Sequence, residues 1–157
     1  MAHLLVNAEQ LRQPEERQFV LSEWIETAPF EDLLGMTIEH ARHGEAHLSL
    51  PFRVKHANGG GVMHGGVLVA LADTAVAMAI KSLLPEGAIF ATTELKMQFV
   101  APLRSGRVFA RARVTGPEGR TFLGSAELFD EQEALVASFL CVFRVARGQA
   151  LSGPGNG

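Results

Sequence analysis

The feature that most constrains this chain is the apolar run from Val62 to Leu84. It is long enough to reach across a bilayer core of about 30 Å as a helix. It also carries His64, Asp73 and Lys81, and an aspartate at mid-span costs roughly 2.5–3.5 kcal/mol on insertion scales. A buried core helix is therefore expected, not a membrane span. Val67, Leu68, Val69, Leu71, Val76, Met78 and Ile80 do not fall on one stripe. A helix apolar on all sides must be wrapped by other structure. His64-Gly65-Gly66 marks its start, and Pro85-Glu86-Gly87 closes it.

The wrapping is legible on both sides of that helix. Residues 8–28 are rich in Glu, Gln and Arg, and Phe19, Val20, Glu23, Trp24 and Thr27 follow a 3–4 spacing. This predicts an amphipathic helix ended by Pro29. Residues 34–42 and 47–52 predict two strands around a His43-Gly44-Glu45 turn. After the buried helix the period becomes two: Leu95, Met97 and Phe99 alternate with polar residues, and Val108, Ala110, Ala112 and Val114 alternate with Arg107, Phe109, Arg111 and Arg113. Residues 121–129 and 135–144 predict two more strands. Short turns between strands imply antiparallel neighbours. The expected class is α+β, a curved antiparallel sheet wrapped around one helix. The expected organisation is an N-terminal helix over 1–29, one domain over 30–147 and a loose Gly-rich tail over 148–157.

Composition narrows the function. The 157 residues carry a formal net charge of −3 with no basic block, and Tyr is absent. Neither nucleic acid nor an anionic membrane is an expected partner. The N-terminal residues show no basic-then-apolar leader, so the cytoplasm is expected. Cys141 is the one cysteine. It sits in an apolar run with no basic neighbour to lower its pKa, so it reads as a small buried hydrophobe and not as a nucleophile.

Chemistry concentrates at Asn58, His64-Gly65-Gly66 and Asp73. Asp73 is the only acid of the buried helix. Buried without partners, its carboxylate would cost several kcal/mol, so it needs a donor, a second subunit or a wet cleft. Gly65 and Gly66 open a helix N-terminus, which presents free N–H groups and about half a positive charge. Such donors suit a carbonyl oxygen that becomes negative during attack. The same glycines also fit a tight turn alone. Asp73 lies eight residues past Gly65, about 12 Å along a helix. One chain cannot aim both at one carbon, whereas a two-fold homodimer with antiparallel helices can.

Other readings fit less well. Gly59-Gly60-Gly61 lacks the Lys-Ser/Thr of a phosphate loop. His40, His43 and His47 are expected to face different ways, so no metal is expected. No Gly-x-Ser-x-Gly elbow accompanies a Ser-His-Asp set. The Arg residues read as solvated strand faces, one or two of which could meet a phosphate.

Asn58, His64-Gly65-Gly66 and Leu71-Ala72-Asp73, with Phe99-Val-Ala-Pro102 and Gly119-Arg120, resemble the hotdog-fold acyl-CoA thioesterases of the phenylacetate-pathway (PaaI-like) type, relatives of 4-hydroxybenzoyl-CoA thioesterases. The resemblance runs from about residue 30 to 145. It implies a hotdog fold and hydrolysis of an aryl- or medium-chain acyl-CoA. Asp73 would activate water or attack the thioester, the Gly65 N–H would polarise the carbonyl, and Asn58 would position carbonyl or water. Thr92, or its neighbour Thr93, would assist the water, and His64 would shape the loop and orient the thioester. Gly66, Thr93 and Arg120 would contact substrate. The resemblance further implies a homotetramer of two dimers and no cofactor. Many relatives carry Glu where this chain has Asp73, and Gln where it has Asn58. The alternatives are a non-catalytic acyl-CoA binding or sensor module on the same fold, and a dehydratase. The latter wants a His base suitably placed, and His64 stands at the helix start.

Overall fold

A computed structural model describes residues 3–4, 19–149 and 151. The elements run β1 (His3–Leu4), β2 (Phe19–Val20), α1 (Pro29–Leu34), β3 (Thr37–Arg42), β4 (Glu45–Pro51), α2 (Gly65–Lys81), β5 (Phe90–Phe99), β6 (Arg107–Glu118), β7 (Thr121–Phe129) and β8 (Leu135–Val145). A single 3-10 turn, Val54–His56, precedes α2. Strands β1 and β2 form a small antiparallel pair. The other six form one antiparallel sheet in the order β3-β4-β6-β7-β8-β5, with α2 packed on one face. This is the α+β hotdog arrangement.

Period-two patterning builds the core. Val108, Ala110, Ala112 and Val114 of β6 and Phe122, Gly124, Ala126 and Leu128 of β7 are buried, while their neighbours face outward. These rows meet Leu71, Ala72, Ala75, Val76, Ala79 and Ile80 of α2, all fully buried. The β3–β4 hairpin turns on His43 and Gly44, both at positive φ (52° and 78°). That is the pattern of a two-residue turn matched to the right-handed twist of its strands.

The helix expected before Pro29 is placed differently. Residues 8–18 lie outside the described residues. Phe19–Val20 are strand, and the short N-terminal helix begins at Pro29 instead of ending there. Proline suits the first helical position because its missing N–H would be unpaired there anyway. Glu31 accepts the Ala28 N–H at 2.8 Å, and Thr27 donates to Asp32 at 2.6 Å. Trp24 has a different task from the one its spacing implies. Its indole N–H donates to the Lys81 carbonyl, and Lys81 Nζ donates to the Trp24 carbonyl, each at 2.9 Å. The segment before α1 is thereby fastened to the C-terminal end of α2. No helix among the described residues is long and apolar enough to cross a membrane.

Candidate active site

Helix α2 is wrapped, but not evenly. Gly66, Val69, Ala70, Asp73 and Ala77 recur at 3–4 spacing and keep some exposure, whereas the rest of the helix from Leu68 to Ile80 is buried. Asp73 therefore sits on the one stripe of α2 that the described residues leave open. Its Oδ1 accepts a hydrogen bond from Thr92 Oγ1 at 2.8 Å. Burial pushes the Asp73 carboxyl above its ordinary value, and the Thr92 hydrogen bond pulls partly back. Cys141 lies close enough to feel this charge. Burial and then the Asp73 carboxylate push its thiol up to about 12, so it stays a neutral, unreactive hydrophobe.

A bulge in β5 decides between the two threonines. Thr92 pairs with Phe143 and Glu94 with Val142, leaving Thr93 as the extra residue. Thr92 faces α2. Thr93 is exposed and its hydroxyl donates to the Val142 carbonyl at 3.2 Å, so it does not join Thr92 at Asp73.

The loop before α2 is a tight hairpin, in which Gly61 takes a positive φ of 76°. Asn58 N–H donates to the Val62 carbonyl, and Asn58 Oδ1 accepts from Gly60 N–H at 2.8 Å and Val62 N–H at 3.4 Å. The side-chain oxygen of Asn58 is thus committed to its own loop, and its amide NH2 is the end left to donate. His64 caps α2: its Nδ1 accepts the Gly66 N–H at 2.8 Å. The Gly66 N–H is thereby engaged within the cap. The bond also gives His64 the capping role that residues at this position often take. Gly65 N–H, at the first helical position, has no acceptor among the described residues. Arg120 is half-buried, and its Nη1 donates to the Val145 carbonyl at 2.8 Å, clipping the end of β8.

The chain matches known proteins at these elements. The Thioesterase superfamily profile matches residues 60–137. The structure superposes on a variant of the phenylacetic acid degradation protein PaaI from Thermus thermophilus with a TM-score of 0.67 and 35% identity, covering 74% of this chain and 99% of that one. The chain belongs to the thioesterase superfamily. The E. coli PaaI protein from the phenylacetic acid degradation operon superposes with a TM-score of 0.70 at 25% identity, over 78% of this chain and 87% of that one. A candidate esterase of Halobacterium salinarum is 38% identical over 86 residues, 52% of this chain. The chain spans only 56% of that relative's length.

Within this superfamily chain, two further residues shape the site and were not singled out for it by the sequence. His56 is 2% exposed, its Nδ1 accepts the Arg53 N–H, and its carbonyl accepts the His64 N–H at 2.7 Å. It ties the 3-10 turn to the cap of α2. Phe99 lays its ring against Gly65; its place in the β5 alternation was visible, but its neighbour across the fold was not. The histidine expectation is also corrected. His40 and His47 are register partners with ring centroids 4.2 Å apart, so they face the same way. No group of three or more His, Cys, Asp or Glu assembles for a metal among the described residues.

Proposed function

We propose that this chain hydrolyses an aryl- or medium-chain acyl-CoA thioester to the free acid and CoA, within a homodimer. The observation that carries this is Asp73, held by Thr92 on the open stripe of α2. With Oδ1 taken by Thr92, Oδ2 is left to accept a proton from water. The water oxygen attacks the thioester carbonyl carbon as Asp73 takes the proton. The resulting oxyanion rests on the N–H of the partner subunit's Gly65, where a fixed donor is worth about 10²–10³ in rate. The C–S bond then breaks, and the proton passes to the departing CoA thiolate. Asn58 NH2 can donate to the carbonyl or hold the water.

Two features support the dimer. Among the described residues, strand β5 is a ten-residue edge paired only with β8, and its Leu95 and Phe99 are 49% and 57% exposed. Long apolar edges invite pairing with a second chain. The small side chains along Gly66, Ala70, Asp73 and Ala77 let a second α2 approach closely. Leu123 and Leu140, exposed on the outer sheet face, line an apolar hollow of 320 Å³ with Leu95 and Val142. Neither Asp73 nor Gly65 lines that hollow; a second dimer would cover it. The PaaI relatives, named for phenylacetic acid degradation, favour an aryl group.

A panel of aryl- and alkyl-CoA thioesters, assayed with wild type and Asp73→Asn, tests the reading. The variant should remain a folded dimer and lose about 10²–10⁴ in kcat. Full activity in Asp73→Asn removes Asp73 as the base, and no cleavage of any thioester by wild type sinks the hydrolase reading. Tight binding of every thioester without cleavage by wild type would point to a sensor module.

A further inference from the structure

Gly65 has no conformational need to be glycine. It is absent from the positive-φ glycines, and it occupies the first turn of an ordinary helix, where alanine is a better helix former. What a side chain there would crowd is Phe99. A Cβ on residue 65 would stand 3.0 Å from Phe99 Cζ and 3.1 Å from Cε1. The Phe99 ring occupies the space beside the one free N–H at the start of α2, yet it is itself 57% exposed.

The position is also fixed from behind. Phe99 pairs with Ala137 at the end of β5, and the next residue, Val100, donates its N–H to Val136 at 2.8 Å. Farther along, the Leu103 carbonyl accepts the Met63 N–H at 2.8 Å. The first bond holds the end of β5 against β8, and the second ties the segment after β5 to the start of α2.

We propose that Phe99 is a positioning residue for the Gly65 amide: its ring sets where that N–H points and keeps water from one side of it. The proposal rests on the thioesterase reading above and adds a residue to it. A donor displaced by about 1 Å loses on the order of 10² in rate, and an apolar neighbour strengthens a hydrogen bond to a developing oxyanion. Glycine at 65 and phenylalanine at 99 are then one unit, each requiring the other.

The test is a double-variant cycle on the full chain with the best thioester from the panel. Phe99→Leu and Phe99→Ala should each lower kcat about 10-fold while KM changes less than twofold. Gly65→Ala alone should lower kcat about 10²-fold, and Gly65→Ala/Phe99→Ala should regain about 10-fold over Gly65→Ala, because the added methyl then has room. Amide hydrogen exchange at Gly65 should speed by about 10-fold in Phe99→Ala, a readout that does not depend on turnover. Independent losses that multiply in the double variant, or wild-type kcat together with unchanged exchange in both Phe99 variants, overturn the proposal. Asp73→Asn in the same assay separates the two ideas. If it is inactive while the Phe99 variants match wild type, only the Phe99 role falls. If it is fully active, the role given to Asp73 falls; if wild type cleaves none of the panel, the thioesterase reading falls, and the exchange measurement still decides whether Phe99 governs the amide.

Discussion

At the scale of single residues, Asp73 is balanced between two opposing influences. Burial disfavours its charge and raises its pKa, while the Thr92 hydroxyl stabilises the charge and lowers it. A base must be unprotonated to accept a proton, so the rate should fall as pH drops through this raised pKa. The acid limb of kcat against pH should therefore lie above the ordinary aspartate range near 4. Thr92→Val deletes the lowering contribution and should move the limb to higher pH. Thr92→Ser keeps a hydroxyl and should leave the limb near its original place. A limb that does not move in Thr92→Val would show that the hydrogen bond does not tune the acid.

At the scale of elements, the close approach of α2 to the sheet depends on one missing side chain. A Cβ on Gly124 of β7 would overlap Val76 Cγ1 of α2 and come within 2.8 Å of Cys141 Sγ of β8. Both neighbours are buried, so neither has solvent to move into. Gly124→Ala should cost about 1–3 kcal/mol through overpacking, at roughly 2–4 °C of Tm per kcal/mol for a chain of this size. Combining it with Val76→Ala should return part of the loss, since that removes the nearer clash. Thermal melts of the three variants measure this directly, and an unchanged Tm in Gly124→Ala would mean that the helix–sheet contact is looser than it stands here.

At the scale of the whole molecule, the proposed site is divided between two chains, because Gly65 and Asp73 of one α2 are about 12 Å apart. Subunit exchange tests this division. Homodimers of Asp73→Asn and of Gly65→Ala should each be nearly inactive. A mixed dimer carries both changes in one site and neither in the other. Equal mixing should then restore up to about a quarter of wild-type activity by statistical pairing. No recovery after demonstrated exchange would place the donor and the carboxylate in the same chain.

Local pattern by itself determined the buried helix, the strand alternation, the bounds of β7 and β8 to within a residue, and the acid on which the proposed site is centred. Each depends on a periodicity or a single residue type out of place, such as Asp73 in an apolar run, and these are properties of neighbours in sequence. Tertiary structure decided what depends on register between distant segments. The Thr93 bulge, set by pairing with β8, puts Thr92 on Asp73. The β3–β4 pairing brings His40 and His47 together, and Phe99 reaches Gly65 only because β5 ends beside the start of α2. The 3–4 spacing around Trp24 was misleading because an end-on contact with Lys81 and the proline at the start of α1 outweigh a weak helical preference.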